Sequence, residues 1–223
     1  MMTDHTHAPP RAHICLIRHG ETTWNTERRL QGHLDIPLNT HGLEQAHATG
    51  RYLANTDFSA IYTSDLQRAH TTATAIAQHQ NAQPVPTCLT SLRERHYGVL
   101  QGLTYSDAEI QHPEIFYHFK ARTPDFTFGN SGENLLDFNR RITDTLTALA
   151  ARHTGKQILV VTHGGVLDIV YRLVNGIGIT PPRTWPIPNA AINWIEHTDS
   201  QWHLQEWAIQ THLDQAQDEL PTT

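Results

Sequence analysis

Two short apolar runs, each ending in a histidine followed by a glycine, most constrain how this chain can fold. The runs are "HICLIRHGE", residues 13–21, and "QILVVTHGG", residues 157–165. Both are rich in β-branched residues and continuous enough to be buried on both faces, as strands of a parallel sheet are. An imidazole therefore stands where each strand leaves the sheet, and in the first run an arginine precedes it.

Helical patterns alternate with the strands along the chain. Apolar residues recur at helical spacing over residues 40–55 and again over residues 133–153, and a further helix follows the second His-Gly run. A strand that ends at Thr63 precedes another helix, which Ser64 and Gln67 would begin as a capping box. This order predicts an α/β fold of three layers, with a mainly parallel sheet and helices on both faces.

Two segments differ from this alternation. The runs "AINWIEH" and "QWHLQEWAI" alternate apolar and polar residues around the sequence "TDS", which predicts a hairpin at the sheet edge. Residues 103–132 contain prolines and many aromatic residues without a clean period. They predict short helices and loops over one end of the sheet, with the rings packed as a small satellite core or lid.

Length and composition predict one domain. With 223 residues, of which 38% are hydrophobic, the chain can bury a full core. We predict a single domain over residues 13–210, a disordered head over residues 1–12 and a flexible tail over residues 211–223. The sequence leaves open whether the protein forms a homodimer.

Net charge, apolar runs and cysteine content indicate which partners and which location we expect. The net charge of -6 argues against a nucleic-acid partner, because such binding needs many contacts from lysine and arginine to phosphates. No run has the apolar core of a signal peptide or the roughly 18 residues needed to cross a bilayer, so we expect no membrane partner. Cys15 and Cys88 have no metal-type spacing, which favours reduced thiols and a cytoplasmic location.

The predicted strand ends bring cations and imidazoles together. Ligands of open α/β sheets collect beyond the carboxyl ends of the strands. Arg18 and His19 follow the first strand, Arg68 lies in the first turn of a helix, and His163 and Gly164 begin another. Each alone could be an inert surface charge or a satisfied histidine. Together with the N–H groups of a helix N-terminus, these residues predict a site for a compact, multiply charged oxyanion. Phosphate fits this description better than a carboxylate does.

Four blocks of the sequence resemble the signature blocks of the histidine phosphatase superfamily, whose fold is phosphoglycerate mutase-like. The blocks are "LIRHGETTWN", "TSDLQRAHTTA", "LRERHYGVLQG" and "VVTHGG". They follow one another in the family's order from about Ile14 to Gly165, and "PNAAINWIEH" resembles the family's closing strand. A lone "RHG" would be weak evidence, whereas four blocks in order are specific.

The resemblance implies a role for individual residues. His19 would attack phosphorus and become a phosphohistidine, and Glu94 would be the proton donor. The residues that would contact the phosphoryl group or the substrate are Arg18, Asn25, Arg68, His163 and Gly164, with Thr22 and Gln31 as weaker candidates.

These roles agree with elementary chemistry. Cationic neighbours keep an imidazole neutral and therefore nucleophilic, and arginines stabilise the charge of the transferring phosphoryl group. A carboxylic acid can protonate the leaving alkoxide and then deprotonate water. We therefore expect neither a metal nor another cofactor, since fixed cations take the metal's place and no carboxylate cluster suits magnesium.

The activity predicted is hydrolysis of a small phosphorylated metabolite, a phosphomonoester. The alternative is a bisphosphoglycerate-dependent phosphoglycerate mutase, which the block "ERHYGVLQGL" also resembles. Those mutases have a basic insertion with extra cations after this block. Residues 104–138 of this chain lack that insertion, and their only cations are Lys120 and Arg122. A pocket poor in cations would favour attack by water. A catalytically silent phosphate-binding module ranks low, because His19 and Glu94 are both present, and a metal hydrolase ranks lower still.

Overall fold

The computed structural model describes residues 10–129, 131–198 and 201–213. Within these residues one sheet has the strand order β3-β2-β4-β1-β5-β6. The strands are β1 (Ala12–Arg18), β2 (Ala60–Thr63), β3 (Thr87–Cys88), β4 (Gln157–Thr162), β5 (Ile192–Thr198) and β6 (Gln201–Ile209). The first four in chain order pair in parallel. The last two form the antiparallel edge hairpin that the sequence predicts.

Helices connect the strands at the predicted places. They are α1 (Thr23–Thr26), α2 (Thr40–Tyr52), α3 (Gln67–Ala77), α4 (Tyr105–Gln111), α5 (Pro113–Lys120), α6 (Leu135–Arg152) and α7 (Gly164–Asn175). The four longer helices predicted from periodicity are α2, α3, α6 and α7. None of the helices in the described ranges is long and apolar enough to cross a membrane.

The sheet is buried on both faces, and its central strands show this most clearly. Along β1, Ile14 and Leu16 pack into a core shared with α6 and α7, whereas Cys15 and Ile17 pack into a core shared with α3. All four side chains are fully buried. Alternate residues of a strand point to opposite faces, so a continuous apolar run serves two layers of helices at once. The predicted three-layer α/β fold is confirmed.

The start of α3 differs from the prediction. Its N-cap is Leu66, which makes no capping bond through its side chain. Ser64 lies too early for the predicted capping box, and its hydroxyl accepts a bond from the Leu66 N–H at 3.3 Å. The N–H of Gln67 instead donates to the carboxylate of Asp35 at 2.7 Å. A residue from a distant loop replaces the local cap, and sequence spacing alone does not reveal such a bond.

The predicted head and tail fall mostly outside the described residues. Positions 1–9 and 214–223 are among those that the structure does not describe. β1 begins at Ala12, one residue before the predicted start of the domain. Arg11 forms an ion pair at 2.8 Å with Glu196 of β5. The domain limits remain a prediction.

The aromatic segment of residues 103–132 contributes to a satellite core, as the sequence predicts. Rings of Phe116 and Phe128 are buried with Leu30 and Leu100, and further rings of α4 and α5 pack against them. The segment thus consists of two short helices and loops around their own small core. Residue 130 lies outside the described part of this segment.

We expect α6 to stabilise the fold mainly through its buried apolar side chains. Leu146 is fully buried in the core beside β1, whereas Leu136 of the same helix is 49% exposed. Leu146→Ala should lower the free energy of unfolding by about 2–5 kcal/mol, because it leaves a cavity. Leu136→Ala should change it by no more than about 0.5 kcal/mol. Urea denaturation compares the two, and equal losses would contradict the packing described.

Candidate active site

The two His-Gly strand ends lie side by side at the carboxyl edge of the sheet. β1 and β4 pair in parallel, with Arg18 opposite Thr162. The N–H of His19 donates to the carbonyl of Thr162 at 2.9 Å, which continues the ladder beyond the strand. The rings of His19 and His163 therefore approach each other, with centroids 5.2 Å apart. The structure brings the two predicted histidines together.

One hydrogen bond determines which nitrogen of His19 can act as a nucleophile. Nδ1 lies 2.7 Å from the carbonyl oxygen of Gly20. A carbonyl only accepts, so in a neutral ring Nδ1 carries the hydrogen and Nε2 retains its lone pair. The amide of Asn189 also donates to the carbonyl of His19 at 2.9 Å, which holds the backbone at this turn.

Both imidazoles are held in the neutral form. Burial lowers the pKa of His19 well below its usual value, and the charges of Arg68 and Arg18 lower it further. Burial likewise lowers the pKa of His163, with additional effects of Arg68 and His19. Neither ring nitrogen of His163 has a hydrogen-bond partner among the described residues. At neutral pH the site offers one unprotonated nitrogen on His19 and one N–H on His163.

The two arginines at the strand ends are buried rather than solvated. Arg68, at the start of α3, is 1% exposed, and its guanidinium donates to the carbonyls of Leu34 at 2.8 Å and Gly32 at 2.7 Å. Burial lowers the pKa of Arg68 to about 10, so it remains charged at neutral pH. Arg18 is also buried and donates to the carbonyl of Ile187 at 2.6 Å. Neutral carbonyls orient these guanidinium groups without cancelling their charge.

Glu94 is a buried carboxyl group held by backbone N–H groups. Its two oxygens accept from Arg95 at 2.7 Å and from Gly165, in the first turn of α7, at 2.8 Å. Burial raises the pKa of Glu94 above its usual value, although the two N–H bonds and the charge of Arg68 oppose the shift. The environment therefore favours the acid form more than water does. His33 supports the backbone here, since its Nε2 lies 2.8 Å from the carbonyl oxygen of Glu94.

Thr22 and Asn25 form a reciprocal capping box at the start of α1. The hydroxyl of Thr22 accepts from the N–H of Asn25 at 3.1 Å and donates to its side-chain oxygen at 2.9 Å. That oxygen also accepts the N–H of Thr22 at 3.0 Å. The hydroxyl of Thr22 is thus engaged in the cap. Asn25 retains its amide nitrogen as a donor.

Most of the predicted site residues line a cavity of about 50 Å³, which we name the catalytic cavity, whereas Thr22 and His163 are fully buried and are not among its lining residues. The predicted residues that line it are Arg18, His19, Asn25, Gln31, Arg68, Glu94 and Gly164. The side-chain oxygen of Gln31 is buried and has no hydrogen-bond partner within the described ranges. Across the described residues, no three or more side chains of His, Cys, Asp and Glu are grouped so that they could hold a metal ion.

Several residues of this cavity were not predicted from the sequence. Arg29, Gly32, Tyr97 and Tyr105 also line it. Tyr97 lies inside the block "LRERHYGVLQG", which was the available signal. Tyr105 begins α4, in the segment whose pattern has no clear period, so only the packing of the satellite core reveals it.

A second cavity of about 80 Å³ adjoins the first, and we name it the arginine cavity. It shares Tyr97, Tyr105 and Gly164 with the catalytic cavity. The charged side chains that line it are those of Arg95, Arg122, Arg183 and Asp168. The expectation of a pocket poor in extra cations was therefore wrong. It counted only residues 104–138, and two of the three arginines come from outside that segment.

Comparison with known proteins identifies the family. The sequence model of the histidine phosphatase superfamily (branch 1) matches residues 14–210. The chain belongs to this superfamily. The predicted family and the phosphoglycerate mutase-like fold are both confirmed.

Individual relatives agree with this assignment. The chain is 37% identical over 206 residues to phosphoglycerate mutase-like protein 4 of Arabidopsis thaliana, covering 92% of this chain and 88% of the relative. It is 35% identical over 201 residues to the metal-independent phosphoserine phosphatase of the same plant, covering 90% and 82%. The solved structure of Bacillus stearothermophilus YhfR matches with a TM-score of 0.82 and 29% identity, covering 91% of this chain and all of that one. The predicted phosphatase class is confirmed.

In this histidine phosphatase we expect Gly165 to be required for the position of Glu94. A Cβ atom at Gly165 would lie 2.2 Å from Oε1 of Glu94, whereas one at Gly178 would meet only a proline carbon at 3.8 Å. Gly165→Ala should lower kcat for an alkyl phosphate by about 10- to 100-fold, a share of what a proton donor contributes. Gly178→Ala is the matched control and should retain activity.

Steady-state kinetics and thermal melting of both variants test this expectation. A cooperative melt shows that Gly165→Ala folds. Full activity in that folded variant would contradict the close approach of Glu94 to the helix start.

Proposed function

We propose that this enzyme hydrolyses small phosphomonoesters through a phosphohistidine formed on Nε2 of His19. The hydrogen bond from Nδ1 to the carbonyl of Gly20 is the observation that carries the proposal, because it leaves the lone pair on Nε2. Burial and two neighbouring arginines favour the neutral ring. A neutral imidazole is a competent nucleophile towards phosphorus.

In the first step Nε2 of His19 attacks phosphorus in line with the ester oxygen. The P–N bond forms as the P–O bond to the alcohol breaks, and Glu94 gives its proton to the departing alkoxide. In this loose transition state negative charge is spread over the three equatorial oxygens. Groups suited to bind them are the guanidinium groups of Arg18 and Arg68, an N–H of His163, the amide of Asn25 and the backbone N–H of Gly164.

In the second step water attacks the phosphohistidine. Glu94, now a carboxylate, takes a proton from this water, and the P–N bond breaks as inorganic phosphate forms. The ring of His19 returns to its neutral form with the hydrogen still on Nδ1, and Glu94 is again an acid. Each proton and each bond is therefore restored within one cycle.

The substrate we propose is a compact phosphate ester of a metabolite. The catalytic cavity and its neighbour are small compared with the roughly 300–1,000 Å³ of pockets for drug-sized ligands. A relative named for phosphoserine supports the same class. Both cysteines are free, which agrees with the cytoplasmic location that we propose. Whether the enzyme forms a homodimer stays open.

A phosphoglycerate mutase is the second candidate function. The name of the phosphoglycerate mutase-like relative and the arginine cavity both favour keeping it. A mutase passes the phosphoryl group of its phosphohistidine to a second acid, whereas a phosphatase passes it to water. The enzyme with 3-phosphoglycerate and a bisphosphoglycerate primer separates the two: formation of 2-phosphoglycerate faster than release of inorganic phosphate would make it a mutase.

His19→Ala should abolish turnover of p-nitrophenyl phosphate, with a loss of at least about 10³-fold, because it removes the nucleophile. The exposed His70 of α3 provides the matched control, and His70→Ala should retain activity. Radiolabelled substrate quenched in alkali should leave label on the parent and none on His19→Ala. Excess chelator should leave the parent's rate unchanged. Full activity in His19→Ala, or a rate abolished by chelator, would overturn the proposal.

Glu94→Gln should lower kcat/KM far more for an alkyl phosphate than for p-nitrophenyl phosphate. An alkoxide needs the proton, at a cost of about 10²- to 10⁴-fold without it, whereas nitrophenolate leaves as its anion. Burial raises the pKa of Glu94, and only the protonated carboxyl group below this pKa can donate the proton. In the parent, kcat/KM for the alkyl ester should therefore fall as pH rises through this pKa, and Glu94→Gln should lose that limb.

The same profiles test the nucleophile. The pKa of His19 lies well below its usual value, so the acidic limb, where the ring becomes protonated, should remain in Glu94→Gln. Equal losses with both esters would rule out Glu94 as the proton donor.

A further inference from the structure

We infer that Arg141, on α6, is a positioning residue for the proton donor Glu94. Its guanidinium holds the backbone of the loop that carries Glu94, and this hold governs how well the carboxyl group meets the departing alkoxide. The role rests on the proposed function, in which Glu94 donates the proton. The described residues that line the catalytic cavity do not include Arg141, so it acts through another residue.

Every N–H of the Arg141 guanidinium has an acceptor. Nε and Nη2 donate to the two carboxylate oxygens of Glu133 at 2.8 and 2.7 Å. Nη1 donates to the carbonyls of Ser91 at 2.8 Å and Arg93 at 2.9 Å, and Nη2 also donates to that of Glu94 at 3.2 Å. These five bonds use the five hydrogens of the group, so the guanidinium is held in one orientation.

The loop depends on such a donor because side chains hold its carbonyls. Thr162 of β4 donates through its hydroxyl to the carbonyl of Leu92 at 2.9 Å. With the bonds from Arg141, side chains hold all four consecutive carbonyls of residues 91–94. Arg141 binds three of them, and it is therefore the main anchor of this loop.

The position of the loop determines where the carboxyl group of Glu94 lies. One of its oxygens accepts the N–H of Arg95, in the same loop, and the other accepts the N–H of Gly165, at the start of α7. The carboxyl group thus bridges the loop and the helix start. If the loop moves, it carries the acid away from the leaving oxygen, and a misplacement of about 1 Å can cost about 10²-fold in rate.

Arg141 acts by geometry rather than by charge. Glu133 accepts from the guanidinium through both oxygens and neutralises it, and the two side chains are only 22% and 18% exposed. The cations whose charge lowers the pKa of Glu94 are Arg68 and Arg18. A lysine in place of Arg141 keeps the charge but has no planar fork and fewer donors, so it cannot bind the same acceptors.

Arg141→Lys tests this role through the leaving group. We expect kcat/KM for the alkyl phosphate to fall about 10- to 100-fold, because the acid is displaced. The value for p-nitrophenyl phosphate should stay close to the parent's, since nitrophenolate needs no proton. The ratio kcat/KM reports the steps up to the phosphohistidine, so it excludes the water step that both esters share. Equal losses with both esters would show a structural role alone and overturn the inference.

Arg140→Lys is the matched control. Arg140 is the preceding residue of α6, its side chain is 73% exposed, and it pairs with Asp137, which is 50% exposed. The control should therefore leave both kcat/KM values unchanged. A selective loss with the alkyl ester in this control as well would contradict a specific role of Arg141.

A double variant shows whether Arg141 acts through Glu94. In Glu94→Gln the proton donor is already absent, so the addition of Arg141→Lys should lower kcat/KM for the alkyl ester little further. A further loss as large as that in the single variant would mean that Arg141 acts independently of Glu94, and the inference would fail.

Glu133→Gln decides the case in which Arg141→Lys does not fold, as judged by thermal melting. The amide keeps one oxygen for the guanidinium of Arg141 and replaces the other with a group that cannot accept. We expect the same selective loss with the alkyl ester, at a smaller size, because only one of the anchoring bonds is removed. In that case an unchanged ratio of the two kcat/KM values in folded Glu133→Gln would overturn the inference.

These outcomes separate the role of Arg141 from the proposed function. If Glu94→Gln shows the selective loss and folded Arg141→Lys does not, Glu94 remains the proton donor and only the role of Arg141 fails. If Glu94→Gln lowers kcat/KM equally for both esters, the proposed role of Glu94 itself fails.

Discussion

The hydrogen bond between Nδ1 of His19 and the carbonyl of Gly20 is the interaction on which the site depends, because it presents Nε2 to the cavity. The carbonyl can hold the ring only if the turn itself is held. The N–H of Gly20 donates to the hydroxyl of Thr72 on α3 at 3.0 Å. A Cβ atom at Gly20 would lie 2.3 Å from the carbonyl oxygen of Gly42 on α2. Two helices on one face of the sheet thus fix the nucleophile.

Burial without neutralisation is the common electrostatic device around this turn. Backbone carbonyls orient Arg68, and the same holds for Arg95 in the neighbouring cavity, whereas Arg122 there also forms an ion pair with Asp168. Desolvation lowers the pKa of both Arg68 and Arg95 to about 10, which still leaves them charged at neutral pH. The same desolvation keeps His19 neutral and favours the acid form of Glu94. One physical cause therefore prepares the nucleophile and the acid, while the arginines retain the charge that attracts a phosphate, although the whole chain is acidic.

The parts of the molecule that could be predicted from sequence are those determined by local pattern. The His-Gly strand ends follow from apolar runs whose residues serve two faces of the sheet, and the position of Arg68 follows from one helix start. The capping box at Ser64 was wrong because Asp35, remote in sequence, binds the first N–H of α3. The arginine cavity was missed for the same reason. Arg95, Arg122 and Arg183 come from three separate segments, and no spacing relates them before the chain folds.

The presence of two cavities shows that the choice of ester and the choice of phosphoryl acceptor depend on different residues. From the sequence, the small number of cations in residues 104–138 predicted water, rather than a second acid, as the acceptor of the phosphoryl group. The arginines, however, line the neighbouring cavity rather than the space at His19, so their charge acts on whichever ester binds, before either acceptor attacks. What decides the acceptor is whether water reaches the phosphohistidine beside Glu94 before a new acid binds. The charge of the arginine cavity therefore bears on which ester enters, and the access of water past Tyr97 and Tyr105, which line both cavities, bears on what becomes of its phosphoryl group.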